Sequence, residues 1–442
     1  MRKVVIIGFQ SAGLSAAAAA KLYNREAEIT VIERRTYATY HPCGLPYVIG
    51  GDVPDIRNLV EAAPTMPGVE VMLGTEARDI DTKAKTLEII DRRTLREEKI
   101  PYDKLILATG SLAHRLSIPG ADQRTVFTLR TMDDGKEILA ALPRAERAVV
   151  IGAGPMGVEV AGALIGRGME VALVEMQPSI LPGMLDPDMS DVVLDRLTRS
   201  GIKVVCSNLV REIHGAGKSK SVVLEGEELP ADIVIVTIGV KPDVELAARA
   251  GLKLSSMGTI AVDECLRTSD PDIFAAGDCA EARSLITGRP VQSQLATTAI
   301  RMGRVAGINA AGGNEVFEGV LNTIVSSACG LEFASTGLTS KAAKEAGIDA
   351  IATRVKASSR PFFYPGAEPI FAKLIAQRKD GRVIGGQIIG DGAAGRANLL
   401  ALAIKQRLKV DELSRIEYCY APPVSDCIEP LTVAADALLR RL

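Results

Sequence analysis

Cys43 lies in the segment Thr39-Tyr40-His41-Pro42-Cys43-Gly44-Leu45-Pro46, has no CxxC partner, and is followed along the chain by no other cysteine until Cys206. A thiol placed this way cannot close a local disulfide and holds one sulfur at a time. Its chemistry would therefore run through a mixed disulfide, a persulfide or a sulfenate. The alternative is a small, buried, inert hydrophobe. His41 would favour the Cys43 thiolate when protonated, or else be an exposed loop residue.

The elements around this thiol argue for chemistry. Lys3-Val4-Val5-Ile6-Ile7 reads as a buried parallel strand running into Gly8-Phe9-Gln10-Ser11-Ala12-Gly13 and an alanine-rich helix, and the next strand, Ile29-Thr30-Val31-Ile32, ends at Glu33. In such a βαβ unit the helix N-terminus faces a pyrophosphate and the acid accepts ribose hydroxyls. Gln10 replaces the middle glycine of GxGxxG, which normally lets the backbone approach the phosphate. A second copy keeps all three glycines: Ala148-Val149-Val150-Ile151 leads into Gly152-Ala153-Gly154-Pro155-Met156-Gly157, and Glu170-Val171-Ala172-Leu173-Val174 ends at Glu175. Two such units imply two dinucleotides. Glu175 would pair with a 2′-hydroxyl and repel a 2′-phosphate, so NADH is expected over NADPH.

With 442 residues the chain is too long for one core. Its net charge of −2 offers no basic field for nucleic acid. No apolar run approaches the roughly 18 residues needed to span a membrane. The start Met1-Arg2-Lys3-Val4 enters a strand directly, and the seven cysteines are odd in number and scattered, so a cytoplasmic protein with reduced thiols is expected. The three histidines, His41, His114 and His214, are not clustered, and no metal site is expected.

Further along, Tyr102-Asp103-Lys104-Leu105-Ile106-Leu107 closes on the turn Ala108-Thr109-Gly110, followed by Pro119-Gly120. The second unit runs to a similar strand ending at Gly239. Ile273-Phe274-Ala275-Ala276-Gly277-Asp278 then delivers a carboxylate at a strand's C-terminal end, where open α/β sheets bind ligands, unless Asp278 only caps the next turn. From about Asn322 the pattern changes to an α+β segment, with alternation in Phe371-Ala372-Lys373-Leu374-Ile375-Ala376 and a turn at Lys379-Asp380-Gly381.

Together with Cys43-Gly44-Leu45-Pro46-Tyr47 and Tyr420-Ala421-Pro422-Pro423, these motifs make the chain resemble the flavin-dependent pyridine nucleotide–disulfide oxidoreductases. It is most similar to their single-cysteine group of coenzyme A-disulfide reductases, NADH oxidases and persulfide or polysulfide reductases. The resemblance implies an α/β fold with two Rossmann-like dinucleotide-binding domains, the NAD domain (117–244) inserted into the FAD domain (1–116 and 245–321), and a C-terminal α+β dimerisation domain (322–442). It implies that FAD is held by Gly8, Ser11, Ala12, Gly13, Glu33, Arg34, Ala108, Thr109 and Gly110. Asp278 would meet the ribityl chain, and Leu295, Ala296 and Thr297 would lie along the isoalloxazine. NAD would be held by Gly152, Gly154, Pro155, Met156, Gly157, Glu175 and Gly239. Tyr420 and Tyr364 would approach the Cys43 of the other subunit of a homodimer, making each active site composite.

Two departures matter. Oxidases and peroxidases of the group carry a histidine in the first glycine turn, where this chain has Ser11. Members that bind coenzyme A show arginines on the first helix, where this chain has Ala19, Lys21 and Leu22, and a serine-phenylalanine approach to the cysteine, here Thr39-Tyr40. Lys21 and Arg25 remain as partners for a coenzyme A phosphate. The expected activity is NADH-driven reduction, through FAD, of a disulfide, persulfide or polysulfide sulfur that Cys43 attacks. Tyr420 would protonate the departing thiolate, and Cys427 would be a resolving thiol or structural. The alternatives are an NADH oxidase or peroxidase cycling Cys43 through a sulfenate, an electron-transfer reductase for a small redox protein, or a regulatory flavoprotein.

Overall fold

Runs of Val and Ile that are apolar at every position suit strands covered on both faces, and the computed structural model, which describes residues 2–62, 66–215 and 220–442, uses them that way. The chain divides into two units. The first comprises residues 1–42, 55–112 and 240–320, and the second 43–54, 113–239 and 321–442.

In the first unit Val4 to Ile7 are buried at the centre of a five-stranded parallel sheet. Its order is Ile273–Ala275, Lys104–Leu107, Lys3–Ile7, Glu28–Glu33, Val69–Leu73. The register sets Ile7 beside both Ile32 and Leu107, and Leu107 beside Ala275. Gly8, Glu33, Ala108 and Ala276 consequently emerge along one sheet edge, the crevice where α/β folds take ligands. Helices Ser11–Tyr23 and Ala296–Ala310 lie backbone to backbone. A Cβ on Gly303 or Gly307 would stand 2.1 or 2.2 Å from the Ala12 or Ala16 carbonyl oxygen, so only glycine permits this approach. An antiparallel sheet of Thr75–Asp81, Thr86–Asp91 and Glu97–Pro101 completes the unit.

The second unit repeats the pattern. Arg147–Ile151 is central in a parallel sheet ordered Lys203–Val205, Glu170–Val174, Arg147–Ile151, Ile233–Val236, Val126–Thr128, with Ile151 beside Val174 and Val236. Gly152, Glu175 and Thr237 follow from that edge. Residues 324–389 supply an antiparallel sheet ordered Ile324–Ala328, Leu331–Gly337, Val383–Ile389, Pro369–Gln377, Ala350–Ser358. The turn expected at Lys379-Asp380-Gly381 joins two of its paired strands. The alternation expected over 371–376 is not what forms: Ala372 to Ala376 are buried at consecutive positions. The sheet is packed by helices Ala393–Lys405 and Pro430–Leu439, and even Lys373 is enclosed, its ammonium 2.9 Å from Asp186 and 2.5 Å from Asp188. Among the described residues no helix is long and apolar enough to cross a membrane.

Candidate active site

Gly8 (φ +100°) turns the chain from strand to helix, and a Cβ there would lie 2.2 Å from the Ala108 carbonyl oxygen. Glu33, only 2 % exposed, accepts hydrogen bonds from the backbone N–H groups of Phe9 (2.9 Å) and Arg35 (3.0 Å). The carboxylate is thereby fixed at the rim of the glycine turn. Helix Ser11–Tyr23 begins at Ser11 with no side-chain cap on its first amides, which leaves donors and the positive dipole end for an anion. Gln10 does not fill the turn: its Oε1 accepts from the Tyr40 amide and its Nε2 donates to the Ala38 carbonyl.

The other residues expected around this nucleotide fall into two groups. Asp278, reached through Gly277 (φ +84°), accepts from the Ser111 hydroxyl at 2.7 Å. Leu295 is the N-cap residue of helix Ala296–Ala310, again with no side-chain cap, and Ala296 and Thr297 are exposed at its start. Arg34 and Thr109 both meet Asp243, which the sequence did not single out. Arg34 pairs with its carboxylate at 3.6 Å, the Thr109 hydroxyl donates to its carbonyl at 2.6 Å, and its own amide donates to the Gly110 carbonyl. Burial raises the Asp243 carboxyl, against the opposing pull of Arg34.

The second turn is built alike. A Cβ on Gly152 would meet the Thr237 carbonyl oxygen at 2.6 Å, and one on Gly157 the Gly152 carbonyl oxygen at 1.9 Å, whereas Gly154 faces open space that a side chain would occupy. Pro155 and Met156 open helix Pro155–Gly166, whose N-terminus has no side-chain cap. Glu175, 6 % exposed, accepts from Ala153 N at 2.8 Å and Gln177 N at 2.9 Å. Gly239 (φ +94°) accepts from His114 N. Burial, then the Glu175 charge, push the nearby Cys206 thiol up. Burial does the same to Cys265 and Cys279, so these three thiols are held protonated.

Cys43 is exposed in the turn Pro42–Gly44, immediately before helix Leu45–Gly50. Leu45, Pro46, Val48 and Ile49 are buried, which leaves Cys43 and Tyr47, four residues apart, on the outward face. Helix Leu45–Gly50 packs on helix Pro155–Gly166, where a Cβ on Gly50 would be 3.3 Å from that of Ala163, and Arg167 Nε donates to the Ile49 carbonyl. Glu159 lies one turn before Ala163 and accepts from Ser326 Oγ at 2.6 Å. Burial raises the Glu159 carboxyl, with the Ser326 bond opposing. His41 meets Glu61 at 3.0 Å.

Of the two distal tyrosines, Tyr364 lies under the Arg360 guanidinium, 6.0 Å from its ring, and Tyr420 is exposed. Beside Tyr420, Ser425 Oγ accepts from the Ala421 amide at 3.1 Å and donates to the Cys419 carbonyl at 3.2 Å. Cys427 is exposed. Lys21 is committed elsewhere: its ammonium donates to the carbonyls of Arg25 (2.7 Å) and Ala27 (2.9 Å).

Asp243 was not singled out from the sequence, and Gln10 was noted there only as a break in the glycine pattern, not for its bonds to residues 38 and 40. Among the described residues no group of three potential metal ligands is gathered.

Two nucleotide turns followed by an antiparallel α+β region define a flavoprotein-reductase architecture. The chain belongs to the pyridine nucleotide-disulphide oxidoreductase family, whose sequence profile matches residues 2–303, with the family's dimerisation domain matching residues 326–431. It is 38 % identical over 447 residues to an NADH oxidase of Methanocaldococcus jannaschii, covering 100 % of this chain and 99 % of the relative. It is 32 % identical over 444 residues to an NAD(P)H coenzyme A polysulfide/persulfide reductase of Pyrococcus horikoshii, covering 99 % and 98 % of the two. The solved structure of an NAD-dependent persulfide reductase from A. fulgidus superposes with a TM-score of 0.95 at 37 % identity, over 99 % of this chain and 83 % of that one.

Proposed function

We propose that this protein is an FAD-dependent NADH oxidoreductase that reduces a disulfide, persulfide or polysulfide sulfur through Cys43 and works as a homodimer. The observation that carries the reading is the exposed Cys43 just before a short helix, in a chain with two glycine turns of the nucleotide-binding kind. The residues fit the two dinucleotides. Glu33 and Glu175 are buried carboxylates held at the rims of the turns, the first helix amides lack side-chain caps, and Gly154 leaves room for a phosphate.

In this reading Gly8, Ser11, Ala12, Gly13, Glu33 and Arg34 hold the adenosine diphosphate end of FAD. Ala108, Thr109, Gly110, Asp278 and Leu295 to Thr297 hold the flavin end. Gly152, Gly154 to Gly157, Glu175 and Gly239 hold NADH. Bound FAD would accept a hydride from NADH and supply an electron pair to sulfur. The chain's own groups do the rest: the Cys43 thiolate attacks the acceptor sulfur, and Tyr420 of the second subunit, supported by Tyr364, protonates the thiolate that leaves. The domain division is read as 1–116 with 245–321, 117–244 and 322–442.

The name of the Methanocaldococcus relative supports oxygen as a second acceptor; Ser11 in place of an imidazole argues against it. With Lys21 bound to carbonyls, Arg25 is the other of the two cations considered for a coenzyme A phosphate. The test is NADH consumption with coenzyme A disulfide, a small persulfide, polysulfide, oxygen and peroxide, for the native chain and Cys43→Ser. The variant is expected to keep FAD and its reduction by NADH and to lose sulfur turnover; undiminished sulfur reduction would overturn the reading.

A further inference from the structure

A helix of six residues does not hold its own shape in water, because it closes too few hydrogen bonds to offset the cost of starting it. Helix Leu45–Gly50 is of that length, and Cys43 enters it through the turn Pro42–Gly44. What seats this helix from outside therefore decides where the thiol stands. Its buried face of Leu45, Pro46, Val48 and Ile49 gives it an apolar seat. Its other anchor is polar and lies at the far end.

The last four carbonyls of a helix have no partner within it, and in helix Leu45–Gly50 those are the carbonyls of residues 47 to 50. Gly51, in the left-handed conformation (φ +95°), donates its amide to the Tyr47 and Val48 carbonyls at 3.0 and 3.2 Å, and the Val53 amide also donates to Tyr47 at 3.2 Å. Ile49 has no exposed surface, and its carbonyl accepts from Arg167 Nε. The guanidinium lies along this turn, where a Cβ on Gly51 would stand 3.5 Å from one of its terminal nitrogens. Arg167 is also the C-cap residue of helix Pro155–Gly166, and the two helices touch where Gly50 meets Ala163. One cation thus sits at the negative ends of both helices, where the macrodipoles favour it. The first helix opens beside Cys43, and the second opens at the nucleotide turn, Gly154-Pro155.

We propose that Arg167 is a positioning residue for the sulfur step: it locks the helix beside Cys43 onto the helix that begins at the second nucleotide turn, and so fixes where the thiol meets its acceptor. The residue acts through the Ile49 carbonyl rather than on the sulfur. The inference rests on the sulfur-reductase reading. Without the guanidinium the buried Ile49 carbonyl is left unpaired, which favours opening of the helix end. Reactions between held groups tolerate little displacement, since a shift of about 1 Å can cost roughly a hundred-fold in rate. Flavin reduction by NADH needs only the nucleotide sites, so it should not feel the loss.

The experiment uses the FAD-loaded protein as the native chain, Arg167→Ala, Arg167→Lys, Gly50→Ala and the swap Gly50→Ala/Ala163→Gly, with FAD content as the check on folding. Three quantities are read: kcat and acceptor KM with a disulfide at saturating NADH, the rate of flavin reduction by NADH, and amide hydrogen exchange over residues 45–53. Arg167→Ala should speed that exchange roughly ten- to a hundred-fold, lower kcat by a similar factor with acceptor KM unchanged, and leave flavin reduction at its native rate. Arg167→Lys, whose ammonium still donates to a carbonyl, should recover part of both. Gly50→Ala sets two methyl groups 3.3 Å apart and should slow turnover, and removing the opposing methyl with Ala163→Gly should restore it. Native kcat or native exchange in Arg167→Ala, or an equal loss of flavin reduction, would overturn the proposal. So would a Gly50→Ala loss that the swap fails to restore. Cys43→Ser, run beside them, separates the two claims: if it still reduces the disulfide, the sulfur reading itself fails, while exchange over residues 45–53 still reports whether Arg167 seats the helix.

Discussion

The side-chain amide of Gln10 is bonded to the backbone around Tyr40: Oε1 accepts from the Tyr40 N–H at 3.3 Å, and Nε2 donates to the Ala38 carbonyl at 3.4 Å. Thr39 adds a hydroxyl bond to the Phe9 carbonyl at 3.0 Å. The residue that breaks the GxGxxG pattern thus ties the nucleotide turn to the segment that runs on toward Cys43. A glycine there would free space for a phosphate and lose this tie.

Gln10→Ala is therefore expected to destabilise the protein by about 1–3 kcal/mol, the net worth of two lost bonds. Acceptor turnover should fall more than FAD content does. Urea denaturation and FAD retention measure the two effects; a variant as stable as the native chain would show that the bonds to residues 38–40 carry nothing.

What was legible in the sequence is what local backbone chemistry demands. The two glycine turns, with Glu33 and Glu175 at the next strand ends, stand where the βαβ pattern put them, because each depends on a strand, a turn and a helix within about thirty residues. Asp243 and Gln10 were not legible, since the first meets Thr109 across 134 positions and the second meets Tyr40 across 30. The expected alternation over 371–376 failed for a related reason: it presumes one solvated face, and the burial of Lys373 between two aspartates shows that this strand has none.

That enclosed lysine gives a prediction on stability and pH. Burial opposes ionisation of Asp186, but bonds from Ser340 and Lys373 outweigh it and hold the carboxyl below its ordinary value. A lowered carboxyl contributes stability that is fully present above the unfolded pKa, about 3.9, and is lost as pH falls through the lower folded value. Lys373→Met would strand Asp186 without its cation and should cost about 3–5 kcal/mol at pH 7. The deficit should shrink toward pH 4, where the stranded acid can protonate. Denaturation midpoints at the two pH values check this; an equal loss at both would mean that Lys373 acts by packing alone.

Nucleotide choice should follow Glu175. Its two oxygens are fixed by Ala153 N and Gln177 N, so the carboxylate cannot swing away from a 2′-phosphate. The expected penalty is about 1–3 kcal/mol, a preference for NADH of roughly ten- to a hundred-fold in kcat/KM. Glu175→Ala should narrow that ratio while weakening NADH, since the turn loses its anchor. Comparable kcat/KM for both nucleotides in the native enzyme would mean that Glu175 does not read the ribose.

The last prediction concerns Tyr420, which is exposed while its neighbours Cys419 and Ala421 are both bonded to Ser425 Oγ. In the composite-site reading, this exposed tyrosine of the dimerisation domain would serve a second copy. Tyr420→Phe should slow sulfur turnover roughly ten- to a thousand-fold and leave flavin reduction by NADH nearly untouched. The sharper measurement mixes Cys43→Ser with Tyr420→Phe subunits. If each site takes its thiol from one chain and its phenol from the other, the heterodimer gathers both lesions in one site and leaves the second intact, so activity returns on mixing. If both groups come from one chain, every site in the mixture keeps a lesion and no activity returns.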